Sequence, residues 1–189
     1  TDLAVLASVG VSELNVFAPL RVGVLSTGDE LWEPGQNIKK GEIYDANRHM
    51  LLSQVESIRC PTVDFGIVAD DAPALRSTLD EASTNCDVLL TTGGASAGDE
   101  DHMSALLRSE GSLSMWRIAI KPGRPMAMGL WKGLPVFGLP GNPVAAFVCT
   151  LVFAQPALRQ LAGGHWHHAE GYMVPAAFSK LKKPGRYES

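Results

Sequence analysis

RVGVLSTGDE, residues 21–30, decides how the chain is read. Val22 to Ser26 is an apolar run of strand length, and it ends in an acidic, glycine-bearing turn. The next segment changes period: Asp45 to Ile58 carries Met50, Leu51, Leu52, Val55 and Ile58 along a helical stripe, with Asp45 placed to cap it. The alternation then repeats. Pro61 to Val68 predicts a second strand and Asp71 to Ala82 a second helix, with Asp71 at its cap, Pro73 in its first turn and Leu75 and Leu79 facing inward. Asp87 to Thr92 predicts a third strand and Asp101 to Glu110 a short helix. Met115 to Ile120, Met126 to Gly129 and Pro135 to Leu139 predict further strands, and Asn142 to Leu161 the longest helix. Strands and helices alternating in this way predict an α/β three-layer sandwich, a mainly parallel sheet flanked by helices on both faces.

Outward from that core, residues 1–20 read as a lead-in from a preceding domain. A short apolar stretch is closed by Gly10, and the alternation of Leu14, Val16 and Ala18 suggests an edge strand or connector. Residues 21–163 form the main domain. Gly163-Gly164 stops the long helix, and residues 164–189 place Lys180, Lys182, Lys183 and Arg186 around few apolar side chains, too few to bury a core alone. That tail reads as the truncated start of a further domain.

At 189 residues, 46% hydrophobic and 19% charged, the chain suffices for one well-buried domain with an appendage. Its net charge of −4 argues against nucleic acid, whose phosphates call for a basic face. Cys60, Cys86 and Cys149 lie far apart, without C-x-x-C spacing, and read as small buried hydrophobes in a reducing compartment. No uninterrupted apolar run approaches the roughly 18 residues of a membrane span, and no signal peptide opens the chain. The expectation is a cytoplasmic protein without a membrane partner.

In an open parallel sheet, ligands bind over the carboxyl ends of the strands, and four loops there carry chemistry. Ser26 to Glu30 follows the opening strand; Thr27 and Gly28 form the turn, and Asp29 and Glu30 present paired hard oxygens that suit Mg²⁺. An acidic solvated turn explains the same residues equally well. In Thr91 to Asp101, Gly93, Gly94 and Gly98 with small side chains let backbone N–H groups approach an anion. The Gly93–Gly98 spacing matches a Walker loop, but Asp99 stands where the lysine should be, which excludes an NTPase P-loop. Gly94 to Gly98 also matches G-x-S-x-G around Ser96, the nucleophile elbow of serine hydrolases; Ala97 to Glu100 is a poor first helical turn, so this reads as a chance match.

The third loop holds Lys121 and Arg124, each beside a proline, with Arg117 just upstream, a cation cluster suited to an oxyanion; a solvated charged turn is its plainer explanation. The fourth, Gly138 to Pro143, runs into the long helix. Asn142 is a strong N-cap and Pro143 an ideal first helical residue, while Pro140 and Gly141 are left over by that local account. Carboxylates, glycine cradle, cations and helix N-terminus on one rim describe a site for a polyanionic ligand with a divalent metal.

The phrases S-T-G-D-E-L, Y-D-A-N-R, G-G-x-S-x-G-x-x-D, I-K-P-G-R-P and G-L-P-G-N-P, in this order over roughly Arg21 to Gly163, resemble the MoeA/gephyrin family. The resemblance implies a molybdopterin-binding domain and a molybdenum transferase that inserts molybdate into adenylylated molybdopterin with Mg²⁺, releasing AMP and molybdenum cofactor. It implies that Glu30 and Asp101 serve activity and metal binding and that Asp70 is a further acidic site position. Arg117 and Lys121 would be the cation pair near molybdate and phosphates, and Pro140 and Pro143 the prolines of the binding turn. Arg117 and Arg124 depart from the lysines of relatives, which keeps charge and changes donor geometry. Members also carry further N-terminal domains and a C-terminal β-rich domain, and act as homodimers with the site between subunits. The expectation is therefore an enzyme whose turnover needs those regions; a non-catalytic molybdopterin-binding or scaffold module is the alternative, and a serine hydrolase the remote one.

Overall fold

The computed structural model describes residues 2–93, 102–117, 120–121, 125–166, 174–175, 177 and 187–188. In chain order these form helix α1 (Asp2–Ser8), strand β1 (Val22–Thr27), short strands β2 (Leu31–Trp32) and β3 (Ile43–Tyr44), helix α2 (Ala46–Ser57), β4 (Thr62–Val68), α3 (Ala72–Asn85), β5 (Val88–Thr92), α4 (His102–Glu110), β6 (Ser112–Arg117), β7 (Ile120–Lys121), β8 (Pro125–Trp131) and β9 (Leu134–Leu139). A long helix follows, made of α5 (Pro143–Cys149), a π-turn (Thr150–Ala154) and α6 (Gln155–Leu161), and then β10 (Tyr187–Glu188).

Six strands form the main sheet in the order β4-β1-β5-β9-β8-β6. β1 pairs in parallel with β4 and β5, and β5 with β9, while β8 runs antiparallel to both β9 and β6. Every residue of β1 and β5 is buried, as a strand covered on both faces requires. Alternate residues divide the core. Val22, Val24, Val88, Leu90, Phe137 and Leu139 face α2 and the long helix, packing on Leu51, Val55, Cys149 and Leu158. Leu25, Leu89, Val136 and Leu134 face α3 and α4, packing on Leu75, Leu79, Met103 and Leu107. Each such Leu or Val, once buried, contributes about 1.5–3 kcal/mol over an exposed position. The three-layer α/β sandwich expected from the alternation is the fold.

Several local expectations shift, for physical reasons. The strand read as Met115–Ile120 is Ser112–Arg117, because register with β8 runs from Ser112 opposite Leu130 to Arg117 opposite Pro125; apolarity alone passes over Ser112 and Ser114. The strand read as Met126–Gly129 extends to Pro125–Trp131, where Lys132 (φ 48°) and Gly133 (φ 88°) make the two-residue turn that matches strand twist in a hairpin. Asn142–Leu161 is helical throughout but not α throughout. Pro156 has no N–H for the carbonyl four residues back, and just before it the Gln155 N–H donates to Thr150 O, five residues back. Leu14–Ala18 forms no strand; it is the connector, and Phe17 lies against Gly163 at the end of α6.

By length and composition the Pro143–Leu161 helix could cross a membrane. Its Ala145, Ala146, Cys149, Thr150, Ala154 and Leu158 are buried against the sheet, the signature of a core helix. All three cysteines are buried too, and desolvation raises each thiol above its ordinary value.

Candidate ligand-binding site

The strand order creates the site. After β1 the chain leaves to α2 on one face of the sheet, whereas after the adjacent β5 it reaches α4 on the other. A crevice opens between such strands at their carboxyl ends, the general position of ligand sites in open α/β sheets. Here the Ser26 and Thr92 hydroxyls, at the ends of β1 and β5, hydrogen-bond across the gap at 2.9 Å.

A cavity of about 90 Å³ lies there, lined by Thr27, Glu30, Leu31, Ile43, Tyr44, Asp45, Ala46, Asn47, Thr92, Gly93, Gly141 and Pro143. The structure thus brings together Thr27 and Glu30 of the first loop, Gly93 of the second, and Gly141 and Pro143 of the fourth. Gly93 is required on two counts. Its φ is +79°, and a Cβ there would lie 2.1 Å from the Thr27 carbonyl oxygen, so any side chain would push the two loops apart. Glu30 folds its carboxylate over Gly28, within 2.9–3.1 Å of where a Cβ would sit. A larger hollow of about 360 Å³, lined by Met126, Met128, Phe137, Phe153 and Trp166 among others, is almost wholly apolar and lacks the groups that would orient a charged ligand.

Two helix starts flank the cavity. At α5, Asn142 Oδ1 accepts the Ala145 N–H at 3.1 Å and Pro143 is the first helical residue, as its local sequence requires; Pro140 before them is buried. At α2, Asp45 Oδ1 accepts the Arg48 N–H at 3.1 Å. Arg48 is itself 3% exposed and donates to Asp45, Asp64 and Glu33. Burial opposes its charge, but bonds to Asp64 and Asp45, reinforced by the fields of Asp64 and Glu33, outweigh it and hold the guanidinium above its ordinary pKa. That cation joins α2 to β4 and to Glu33, just beyond β2.

The remaining site expectations divide. The Asp70 backbone N–H donates to Asp29 Oδ1 at 3.4 Å, and Asp70 itself does not line the cavity. Asp70 Oδ1 is buried and has no hydrogen-bond partner among the described residues. Arg117 and Lys121 lie on β6 and β7, and their side chains fall outside the described residues, as do Gly94, Ser96, Gly98, Asp101 and Arg124 entirely. No group of three or more His, Cys, Asp or Glu gathers to hold a metal among the described residues. Sequence reasoning missed Leu31, Ile43, Tyr44, Asp45, Ala46 and Asn47 as cavity-lining residues. The phrase Tyr44-Asp45-Ala46-Asn47-Arg48 was their signal: polar residues in the first turn of a core helix call for a partner. Thr27 Oγ1 and Asn47 Oδ1, both on cavity-lining residues, are buried without one among the described residues. Such orphans cluster where a ligand completes the bonding.

Comparison with known proteins points the same way. Residues 23–160 match the family model described as a probable molybdopterin binding domain. The chain is 37% identical over 99% of its length to a molybdopterin molybdenumtransferase of Haemophilus influenzae, covering 46% of that protein. It is 34% identical over 86% of its length to one of Nostoc, covering 38%. Among solved structures, the molybdopterin biosynthesis MoeA protein of Pyrococcus horikoshii superposes with a TM-score of 0.71 at 33% identity, over 85% of this chain and 40% of that one. The chain spans less than half the length of these curated relatives. With the switch-point crevice and these matches together, the chain belongs to the molybdopterin-binding-domain family in its MoeA branch.

Proposed function

We propose that this chain is the substrate-binding part of a molybdopterin molybdenumtransferase, which inserts molybdate into adenylylated molybdopterin and releases AMP. The observation that carries the reading is the cavity at the β1/β5 switch point: one small space is bounded by a carboxylate, a glycine held at positive φ, and the two helix starts. Backbone N–H groups and helix ends suit the phosphates, and buried hydroxyl and amide oxygens suit the polar edge of a heterocycle. Arg117 and Lys121 would supply the positive charge for the oxyanion.

Magnesium would suit this reading. It is commonly held by one or two carboxylates, with water and substrate phosphate completing the shell. Glu30 brings one such carboxylate to the cavity, and Asp29 and Asp70 do not line it. Glu30 and Asp101 would hold the ion, which would supply positive charge to neutralise the phosphates. The chain's own residues then bind and orient. Thr27 and Gly93 fix the floor of the cleft, the Pro140–Pro143 turn fixes its wall, and the low-dielectric site strengthens each electrostatic contact. In the same reading the parent protein works as a homodimer, with regions beyond this chain completing the site.

The test is molybdate-dependent release of AMP from adenylylated molybdopterin in the presence of Mg²⁺. Glu30→Gln should slow release by about 10²–10³-fold, as expected for loss of one electrostatic group. Release that ignores molybdate, or that is untouched by the substitution, would contradict the reading.

A further inference from the structure

Asn47 is 9% exposed and sits in the first turn of α2, where a polar side chain gains nothing from the core. Its Nδ2 donates to the Gly141 carbonyl at 2.8 Å, across 94 residues of sequence. Its Oδ1 is buried without a partner among the described residues. The amide is therefore pinned at one end and unsatisfied at the other, and both Asn47 and Gly141 line the cavity. A purely structural asparagine would have both ends satisfied, because a buried unpaired acceptor costs about 1–3 kcal/mol.

Gly141 has few other restraints. It is exposed, with nothing within 4 Å of where a Cβ would lie, and it precedes the Asn142 cap that starts α5. Pro140 and Pro143 on either side offer no backbone N–H with which to anchor the turn. The Asn47 amide is thus the described side-chain tie between the start of α2 and the turn that starts α5.

We propose that Asn47 is a positioning residue of the ligand site: by clamping the Gly141 carbonyl it sets the width of the cleft between the two helix starts. The clamp preorganises the wall against which the ligand docks, and it leaves Oδ1 as an acceptor toward the cavity. The proposal rests on the reading of this cleft as the ligand site.

The test compares the wild-type chain with Asn47→Ala, which removes the donor without adding charge, and with Asn47→Asp, which is isosteric but replaces the donor by a carboxylate. Adenylylated molybdopterin is titrated by calorimetry, and amide hydrogen exchange is followed at Gly141, Asn142, Val144 and Ala145. Both variants should bind at least tenfold more weakly while their melting temperatures stay within a few degrees of wild type, and exchange should quicken at that turn before it does elsewhere. Binding within twofold of wild type would overturn the proposal. So would a general loss of fold in both variants, which would make the residue structural. If the wild-type chain itself fails to bind, the functional reading falls, and exchange alone judges the clamp: unchanged protection at Gly141 to Ala145 would overturn it.

Discussion

α2 and α5 begin beside one cavity with the same local device, an Asx side chain accepting the backbone N–H three residues on, at 3.1 Å in each case. There the likeness stops. Asp45 is 1% exposed and also accepts from Arg48, a buried cation shared with Asp64 and Glu33. Asn142 is exposed, and its cap is a local matter between itself and Ala145. One helix start is therefore held by tertiary structure, and the other locally, with the Asn47 amide as its long-range side-chain tie among the described residues. The α2 start is thus the firmly held edge of the cavity, and the α5 start the lightly held one.

The largest expected effect tests the firmly held edge. Arg48→Met leaves Asp45 as a buried carboxylate without its cation, which should cost about 3–5 kcal/mol; urea unfolding should show a correspondingly lower midpoint, and a loss under about 1 kcal/mol would break the comparison. Gly93→Ala comes next. It combines left-handed backbone strain with a close contact on the Thr27 carbonyl, and a cost of about 2 kcal/mol or more is expected. Thermal unfolding of that variant at near wild-type temperature would show that the two loops can part freely.

At the lightly held edge, Asn142→Ala should cost only about 1 kcal/mol, the worth of a lone cap. If it matched Arg48→Met in denaturant, the two helix starts would be equivalent after all. The smallest effect lies far from the cleft. Bonds from Lys132 and then Trp131 hold the Asp80 carboxyl below its ordinary value of 3.8. A depressed carboxylate adds stability that is fully present above the ordinary value and is lost as pH falls through the lower folded one. Asp80→Asn should therefore flatten the acid side of the stability curve below about pH 4 and leave the cleft unaffected; an unchanged acid limb would show that this pair adds nothing measurable.

What the sequence disclosed follows the same division. Asp45, Asp71, Asn142 and Pro143 could be placed at helix starts because a cap is decided within a few residues, and Val22–Ser26 or Asp87–Thr92 could be read as central strands because both faces are apolar. The short parallel pair Leu31–Trp32 and Ile43–Tyr44 carries no periodic signal, since two residues cannot show a period. The edge strand Ser112–Arg117 was misplaced because its register comes from β8. Arg48 to Asp64 and Asn47 to Gly141 were out of reach for the same reason: nothing near either residue names its partner. The loops around Thr27, Glu30, Gly93, Gly141 and Pro143 were legible as site material, and the side chains of α2 that close the cavity were not.

The central claim is that the cleft between the ends of β1 and β5 holds adenylylated molybdopterin. Calorimetric titration of the chain with that ligand, with and without Mg²⁺ and alongside Glu30→Ala and Asp101→Ala, tests it most directly. The account predicts saturable binding that strengthens with the metal and is lost in both variants; equal binding by wild type and variants, or none by a folded wild-type chain, would contradict it.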